Sequence, residues 1–291
     1  MFWMQMINGL TLGVSYSLVA LGYTLVFGVL NVVNMAHGDI LMMVTFFVAF
    51  GILHWKWGLF MGLFVAIFGA ALLGILVERL CINTLKGRDF FSPLITTIGA
   101  SIFLQSLAVR IFGGERHPFP QVLQIKHLKL GIVTVTNIQL VIIIISIVVM
   151  VGLILYINRT KMGFAIRAVA ENPDIASFLG VNTNLVKLST FAIASALGGL
   201  AGMLLGISFG TITPFMGLQF GLKGLIVLII GGVGNIFGAM VGGIMLGLLE
   251  VLTTAYITSS YRDAIAFGML IIVLLVRPEG LLGERGRVKT R

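Results

Sequence analysis

The side chains able to do chemistry are few in this 291-residue chain, and their spacing points to binding rather than bond-making. The four histidines, His37, His54, His117 and His127, lie far apart, and there is no His-Glu-x-x-His pair to hold a catalytic metal. No Gly-rich loop ends in Lys-Ser or Lys-Thr. Gly231-Gly232-Val233-Gly234-Asn235 is glycine-rich but has no lysine and lies between apolar runs, so it reads as a helix break and packing point. The lone Cys81 excludes a disulfide framework and a cysteine metal site. No cofactor is called for.

What remains is polar chemistry in apolar surroundings. Glu250 sits well inside an apolar run, where an acid costs about 2.5–3.5 kcal/mol to insert into a bilayer. It either closes an ion pair or helix–helix hydrogen bond, or lines a polar path. The knot Asn31, Asn34, His37, Gly38 and Asp39 also has two readings. It is a connecting turn in which Asn34 and Asp39 cap the flanking helices, or a discontinuous helix at membrane depth whose free backbone groups meet a polar solute. Gln105 reads as interhelical glue.

The elements that must carry these residues are membrane spans. Hydrophobic residues make up 58% of the chain and charged ones 10%, with mean hydropathy +1.11. A soluble domain carries about a quarter charged residues. A span takes roughly 20 apolar residues, so the length allows about eight to ten crossings and no separate soluble domain. The chain reads as one all-α transmembrane domain, 1–291. A secretory leader is not expected, because Met1 to Met6 carries no Lys or Arg. The net charge of +9 falls at the ends of apolar runs, which points to membrane topology and not to nucleic acid.

In order, the apolar runs are 5–30, 40–53, 58–77, 92–112, 138–157, 188–209, 214–234, 236–257 and 264–276. The second has only fourteen residues and reads as a half-helix or a short packed span. Gly198, Gly202 and Gly206 recur at four-residue spacing, which lets helix backbones approach closely. Alternation over 121–136 predicts short strands in an external loop. The basic segments 79–91, 158–187 and 277–291 belong on the cytoplasmic side, with the C-terminus inside. If 40–53 crosses, there are about nine spans and the N-terminus is outside; otherwise about eight, with it inside.

The polar interval 158–187 contains its own helix. Asn172 is a good N-cap, Pro173 fits the first helical position, Asp174 complements the helix dipole and Gly180 suits the left-handed stop. Ile175, Phe178 and Leu179 share one face. That face rests on the protein's own spans or the membrane interface, or it meets a partner.

Several stretches carry a family resemblance in a specific order and spacing. They are Gly9-Leu-Thr-Leu-Gly13, Asn34-Met-Ala-His-Gly-Asp39, Arg167-Ala-Val-Ala-Glu-Asn-Pro173, Leu222-Lys-Gly224 with Gly231-Gly232-Val-Gly234, Leu248-Leu-Glu250, Tyr261-Arg-Asp-Ala264 and Arg277-Pro-Glu-Gly-Leu281. The chain resembles the first permease subunit of bacterial branched-chain amino acid ABC importers. The resemblance implies a multi-pass subunit of the bacterial inner membrane that hydrolyses nothing itself. Its partners would be a second permease, two ATP-binding subunits and a periplasmic amino-acid-binding protein. It also implies a loop docking on the ATPase, with the pattern Glu-Ala-Ala, three residues, Gly; here Asp174-Ile175-Ala176 and Gly180 fit the spacing, with Asp for Glu and Ile for the first Ala. Glu171, Pro173, Phe178 and Leu179 complete that coupling segment. Asn34, His37, Asp39 and Glu250 are the candidate path residues.

Two rival functions remain at this point. Urea and short-amide importers use similar permeases, and an ion-coupled secondary transporter would want more intramembrane acids than Glu250. A membrane enzyme lacks any reacting constellation.

Overall fold

The computed structural model describes residues 1–85, 91–130 and 133–283. Lys86, Arg88, Arg285, Arg287, Lys289 and Arg291, which the topology reading used, lie outside the described residues. The fold is a helical bundle: α1 (Phe2–Leu30), α2 (His37–Trp55), α3 (Leu59–Val77), α4 (Phe91–Phe112), α5 (Asn137–Arg159), α6 (Lys161–Glu171), α7 (Pro173–Phe178), α8 (Thr183–Phe209), α9 (Met216–Gly231), α10 (Ile236–Tyr256) and α11 (Arg262–Val276). Among the described residues, eight helices are long and apolar enough to cross a membrane, α11 together with the short 3-10 turn before it, and α9 is a shorter apolar helix of 16 residues.

The half-helix alternative for 40–53 is not what forms. His37, Gly38 and Asp39 make the first turn of α2, which reaches 19 residues. Those polar residues are helical because they face other helices, so they do not interrupt the span.

Glycine decides which helices form the centre. Along α1 and α10, Gly13 lies against Gly247 and Ser17 against Gly243, so the two run antiparallel at backbone contact. A Cβ on Gly247 would stand 2.3 Å from the Gly13 Cα. The Ser17 hydroxyl donates to the Met240 carbonyl across the same seam (2.8 Å). α3 and α8 cross in the same manner, with Gly199 on Ala66 and Gly74 on Ser195. The most apolar stretches of α1, α8 and α2 are 89%, 78% and 72% buried, whereas those of α3, α4, α5 and α11 are 17–28% buried. The second group forms the outer surface of the bundle among the described residues.

Small β pairings close one end. β2 (His127–Leu130) and β3 (Val133–Thr136) form the antiparallel hairpin in the loop where strands were expected. The pairing of β1 (His117–Pro118) with β4 (Thr211–Ile212), between distant loops, was not foreseen. At the opposite end, α9 stops at Gly231; Gly232 (φ +104°) and Gly234 (φ +83°) take left-handed conformations that favour glycine. The chain after α11 then folds back onto this break, with the Leu281 N–H donating to the Ile230 carbonyl (2.8 Å) and Leu282 to Gly231 (3.1 Å).

Candidate functional site

The break between α1 and α2 is built by asparagines. Asn31 ends α1 in the left-handed region (φ 53°), and the Asn34 side-chain oxygen accepts from the Ala36 N–H (3.1 Å). Asn34 therefore shapes the turn and does not cap α2. The expectation that Asp39 caps a helix also gives way. Asp39 is the third residue of α2, and its carboxylate reaches across to α4, accepting from the Ser101 hydroxyl and from Gln105 Nε2 (3.1 Å). Asn34, His37 and Asp39 are all buried.

His37 is pressed between glycines. A Cβ on Gly22 or Gly198 would lie 2.5 Å or 2.9 Å from its ring, and Tyr23 meets it edge-on at 4.6 Å. Among the described residues, neither ring nitrogen finds a partner in hydrogen-bond geometry, although the Val19 backbone is nearby. The Asn34 side-chain nitrogen and the Ser195 hydroxyl are likewise buried without a partner among the described residues. Gly202 and Gly206 continue this seam on α8, against Thr45 and Leu41 and against Phe119 respectively. The start of α9 packs here too, with Gly217 on the Gly38 backbone.

A second polar group forms where α9, α10 and α11 meet. Lys223 Nζ lies 2.5 Å from Glu250 Oε1 and 3.3 Å from Asp263 Oδ1, and Arg262 Nε also donates to Glu250 Oε1. Lys223 and Glu250 are buried at 3% and 1% exposure, which leaves two cations and two anions that balance. The Tyr16 hydroxyl stands 3.4 Å from Lys223 Nζ. Among the described residues, Glu250 Oε2 has no hydrogen-bond partner. Sequence reasoning singled out Glu250 but not Lys223, Arg262 or Asp263 as its companions. The available signal was a lysine inside the apolar run that becomes α9, since an isolated buried charge must be paired.

Arg262 also lines a cavity of about 640 Å³ between the starts of α1 and α5 and the ends of α8 and α10. Its wall carries Gln5, Asn8, Thr11, Gln139 and Thr254 beside Leu12, Ile142 and Ile207. Gln139 Nε2 donates to Asn8 Oδ1 (2.5 Å), which ties α5 to α1 at this end.

α6 and α7 lie at the other end of the bundle, between the end of α5 and the start of α8. α6 was not foreseen within 158–187. It is capped by Thr160, whose hydroxyl accepts from the Gly163 N–H (3.0 Å), and it buries Gly163, Ile166 and Val169 at spacing three. α7 follows its sequence signals. The Asn172 side chain accepts from the N–H groups of Asp174 (3.0 Å) and Ile175 (3.1 Å), Pro173 occupies the first turn, and Gly180 turns out with φ +85°. Ala176 anchors the helix inward, while Ile175, Phe178 and Leu179 are 57%, 91% and 78% exposed. Glu171 closes α6 immediately before this turn.

The comparisons agree in scale with the length of this architecture. A family profile described as branched-chain amino acid transport system, permease component, matches residues 5–274. The high-affinity branched-chain amino acid transport system permease protein LivH of Escherichia coli (strain K12) is 37% identical, over 97% of this chain and 96% of its own. The corresponding BraD protein of Pseudomonas aeruginosa is 36% identical, over 96% and 95%. The ribose import permease RbsC of Haemophilus influenzae aligns over only 41% of this chain, at 27% identity. No solved structure matches. The family profile and the two full-length relatives together place the chain in the family of branched-chain amino acid transport system permease components.

Proposed function

We propose that this chain forms, with a second and similar permease, the path of an ABC importer for leucine-, isoleucine- and valine-type amino acids. Two separate ATP-binding subunits drive it, and a periplasmic amino-acid-binding protein delivers the substrate. The setting is the bacterial inner membrane, with the α6–α7 end and the C-terminus in the cytoplasm. The full-length similarity to LivH and BraD favours this substrate class over urea or short amides.

The observation that carries the mechanism is α7. It is a capped helix held inward by Ala176, which leaves Ile175, Phe178 and Leu179 uncovered at the end of the bundle away from the Arg262 cavity. An apolar face of this kind suits a groove on an ATP-binding subunit. Closure of the ATPases then moves α6 and α7 as a lever on α5 and α8. The helices behind them meet through glycine backbones, which lets packed elements slide between discrete arrangements. Asn34, His37 and Asp39 lie on the path. Buried polar atoms without partners in one state acquire them from a passing solute or in another state.

Two measurements test the reading. L-Leucine uptake into vesicles holding the assembled importer should require ATP hydrolysis; robust uptake on a proton or sodium gradient alone would overturn it. Phe178→Asp should leave the permease folded but lower co-purification of the ATP-binding subunit about tenfold or more, since a buried aromatic is worth about 1.5–3 kcal/mol. Normal co-purification with wild-type uptake would return α7 to the role of a surface helix.

A further inference from the structure

A different cavity, of about 660 Å³, opens at the α6–α7 end of the bundle, between the last turns of α5, one side of α6, the start of α10 and the turn after α11. Its depth follows from those elements. Ile154, Ile157 and Asn158 belong to the end of α5, Phe237 belongs to the first turn of α10, and both helices are long and apolar enough to cross a membrane. The cavity therefore stands where spans leave the hydrocarbon for the headgroup layer. α6 agrees with that level, since Lys161, Phe164 and Arg167 follow one another at spacing three on its exposed side, an apolar ring between cations.

The polar part of the wall carries both signs, with Arg167 on one hand and Glu171 and Glu279 on the other. The Arg167 guanidinium is held from two sides: it lies over the Phe164 ring (4.6 Å) and donates through Nη1 to Asn158 Oδ1 (3.0 Å). That hydrogen bond takes one of its five N–H donors, and a fork oriented in this way suits a phosphate.

Apolar stripes lead away from this cavity along both spans. On α5, Leu155, Val151, Ile147 and Ile144 follow Asn158 at helical spacing, and on α10, Val241, Met245 and Leu249 follow Phe237 every fourth residue; all of these are exposed. A free phosphate would use the polar wall and leave the stripes bare. A partner helix would cover the stripes and leave the oriented guanidinium unused. An amphiphile uses both. We infer that the cavity holds the headgroup of an amine-bearing phospholipid of the phosphatidylethanolamine kind. Its phosphate lies on Arg167, its ammonium meets the carboxylates of Glu171 and Glu279, and its acyl chains run along the α5 and α10 stripes. The bound lipid bridges α6, which leads into α7, to the turn after α11. The inference depends on the spans and not on the cargo.

The test uses the full-length permease with the subunits that co-purify with it, delipidated in detergent. It is titrated with equal amounts of palmitoyl-oleoyl phosphatidylethanolamine, phosphatidylcholine and phosphatidylglycerol, and retained lipid is counted by native mass spectrometry. Choline keeps the positive charge but has no N–H to donate, and glycerol has no cation. The ethanolamine lipid should be retained about threefold or more over either, the size expected of ion pairs open to solvent. Glu171→Gln combined with Glu279→Gln should bring the ethanolamine-to-glycerol ratio close to one, whereas Arg167→Gln should lower retention of all three, since each carries a phosphate. The ratio is read within each variant, so a general loss of fold lowers every lipid alike and does not imitate the result. Equal retention of the three lipids by the wild type, or an unchanged ratio in the double variant, would overturn the site. Displacement of the lipid by glycerophosphoethanolamine, which has the headgroup without the chains, would overturn the role of the stripes and make the cavity a site for a soluble phosphate. Absence of retained lipid would also overturn the proposal and give this face to a protein partner.

Discussion

Replacing Glu250 with Leu should destabilise the permease more than replacing Lys223 with Met, and the double variant should recover part of the loss. Lys223 Nζ and Glu250 Oε1 are 2.5 Å apart, with both side chains at 4% exposure or less. Without Glu250, Lys223 and Arg262 face only Asp263, which is 63% exposed and largely satisfied by solvent. Without Lys223, by contrast, Glu250 still receives Arg262. Breaking a buried pair on one side costs about 3–5 kcal/mol, whereas exchanging both partners for apolar groups is close to neutral. At roughly 2–4 °C per kcal/mol, Glu250→Leu should lower the thermal midpoint by about 6–20 °C. The double variant should lie nearer the wild type than Glu250→Leu does, with a coupling of about 1–3 kcal/mol. Thermal unfolding of the four purified proteins in one detergent measures the cycle. If the double variant falls by the sum of the two singles, the charges act independently and the balanced cluster is not a unit.

Three further outcomes are expected. Gly247→Ala should destabilise by about 1–3 kcal/mol through overpacking at α1, while Gly152→Ala, where a Cβ meets nothing within 4 Å, should be neutral or mildly stabilising; equal midpoints would refute the α1–α10 seam. Asp39→Ala leaves the Ser101 hydroxyl and the Gln105 amide without their acceptor, at a cost of about 1–3 kcal/mol each, so leucine uptake at matched expression should fall much further than in Asp39→Asn, which keeps an acceptor oxygen. Asn172→Ala removes the cap of α7, worth about 1 kcal/mol, and should weaken ATPase co-purification several-fold, with Asn172→Ser restoring it.

The spans were legible because the bilayer imposes a length on apolar runs, and α7 was legible because its caps are local. Three features were not, each for a physical reason. α6 carries Lys161, Arg167 and Glu171 on an outer face, so its buried Gly163, Ile166 and Val169 were hidden in a segment read as loop. The first turn of α2 looked like a break because His37 and Asp39 are polar, yet His37 packs between Gly22 and Gly198 and the partners of Asp39 lie on α4, 62 and 66 residues away. The charge cluster joins α9, α10 and α11, with Glu250 standing 27 residues from Lys223 and 12 from Arg262, and a linear pattern does not report such pairing.

The two polar groups are nonetheless joined through one element. Gly217 in the first turn of α9 lies against Gly38 and Asp39, and Lys223, two turns later, enters the cluster with Glu250 and Asp263. On the same helix, Gly221 and Gly224 lie against Tyr23 of α1, whose ring also meets His37. This 16-residue helix thus touches both sets of intramembrane polar residues, and its glycines bring it onto the Gly38 backbone of α2 and the Val19 and Tyr23 side chains of α1. The polar turn and the charge cluster therefore share α9 as a common neighbour.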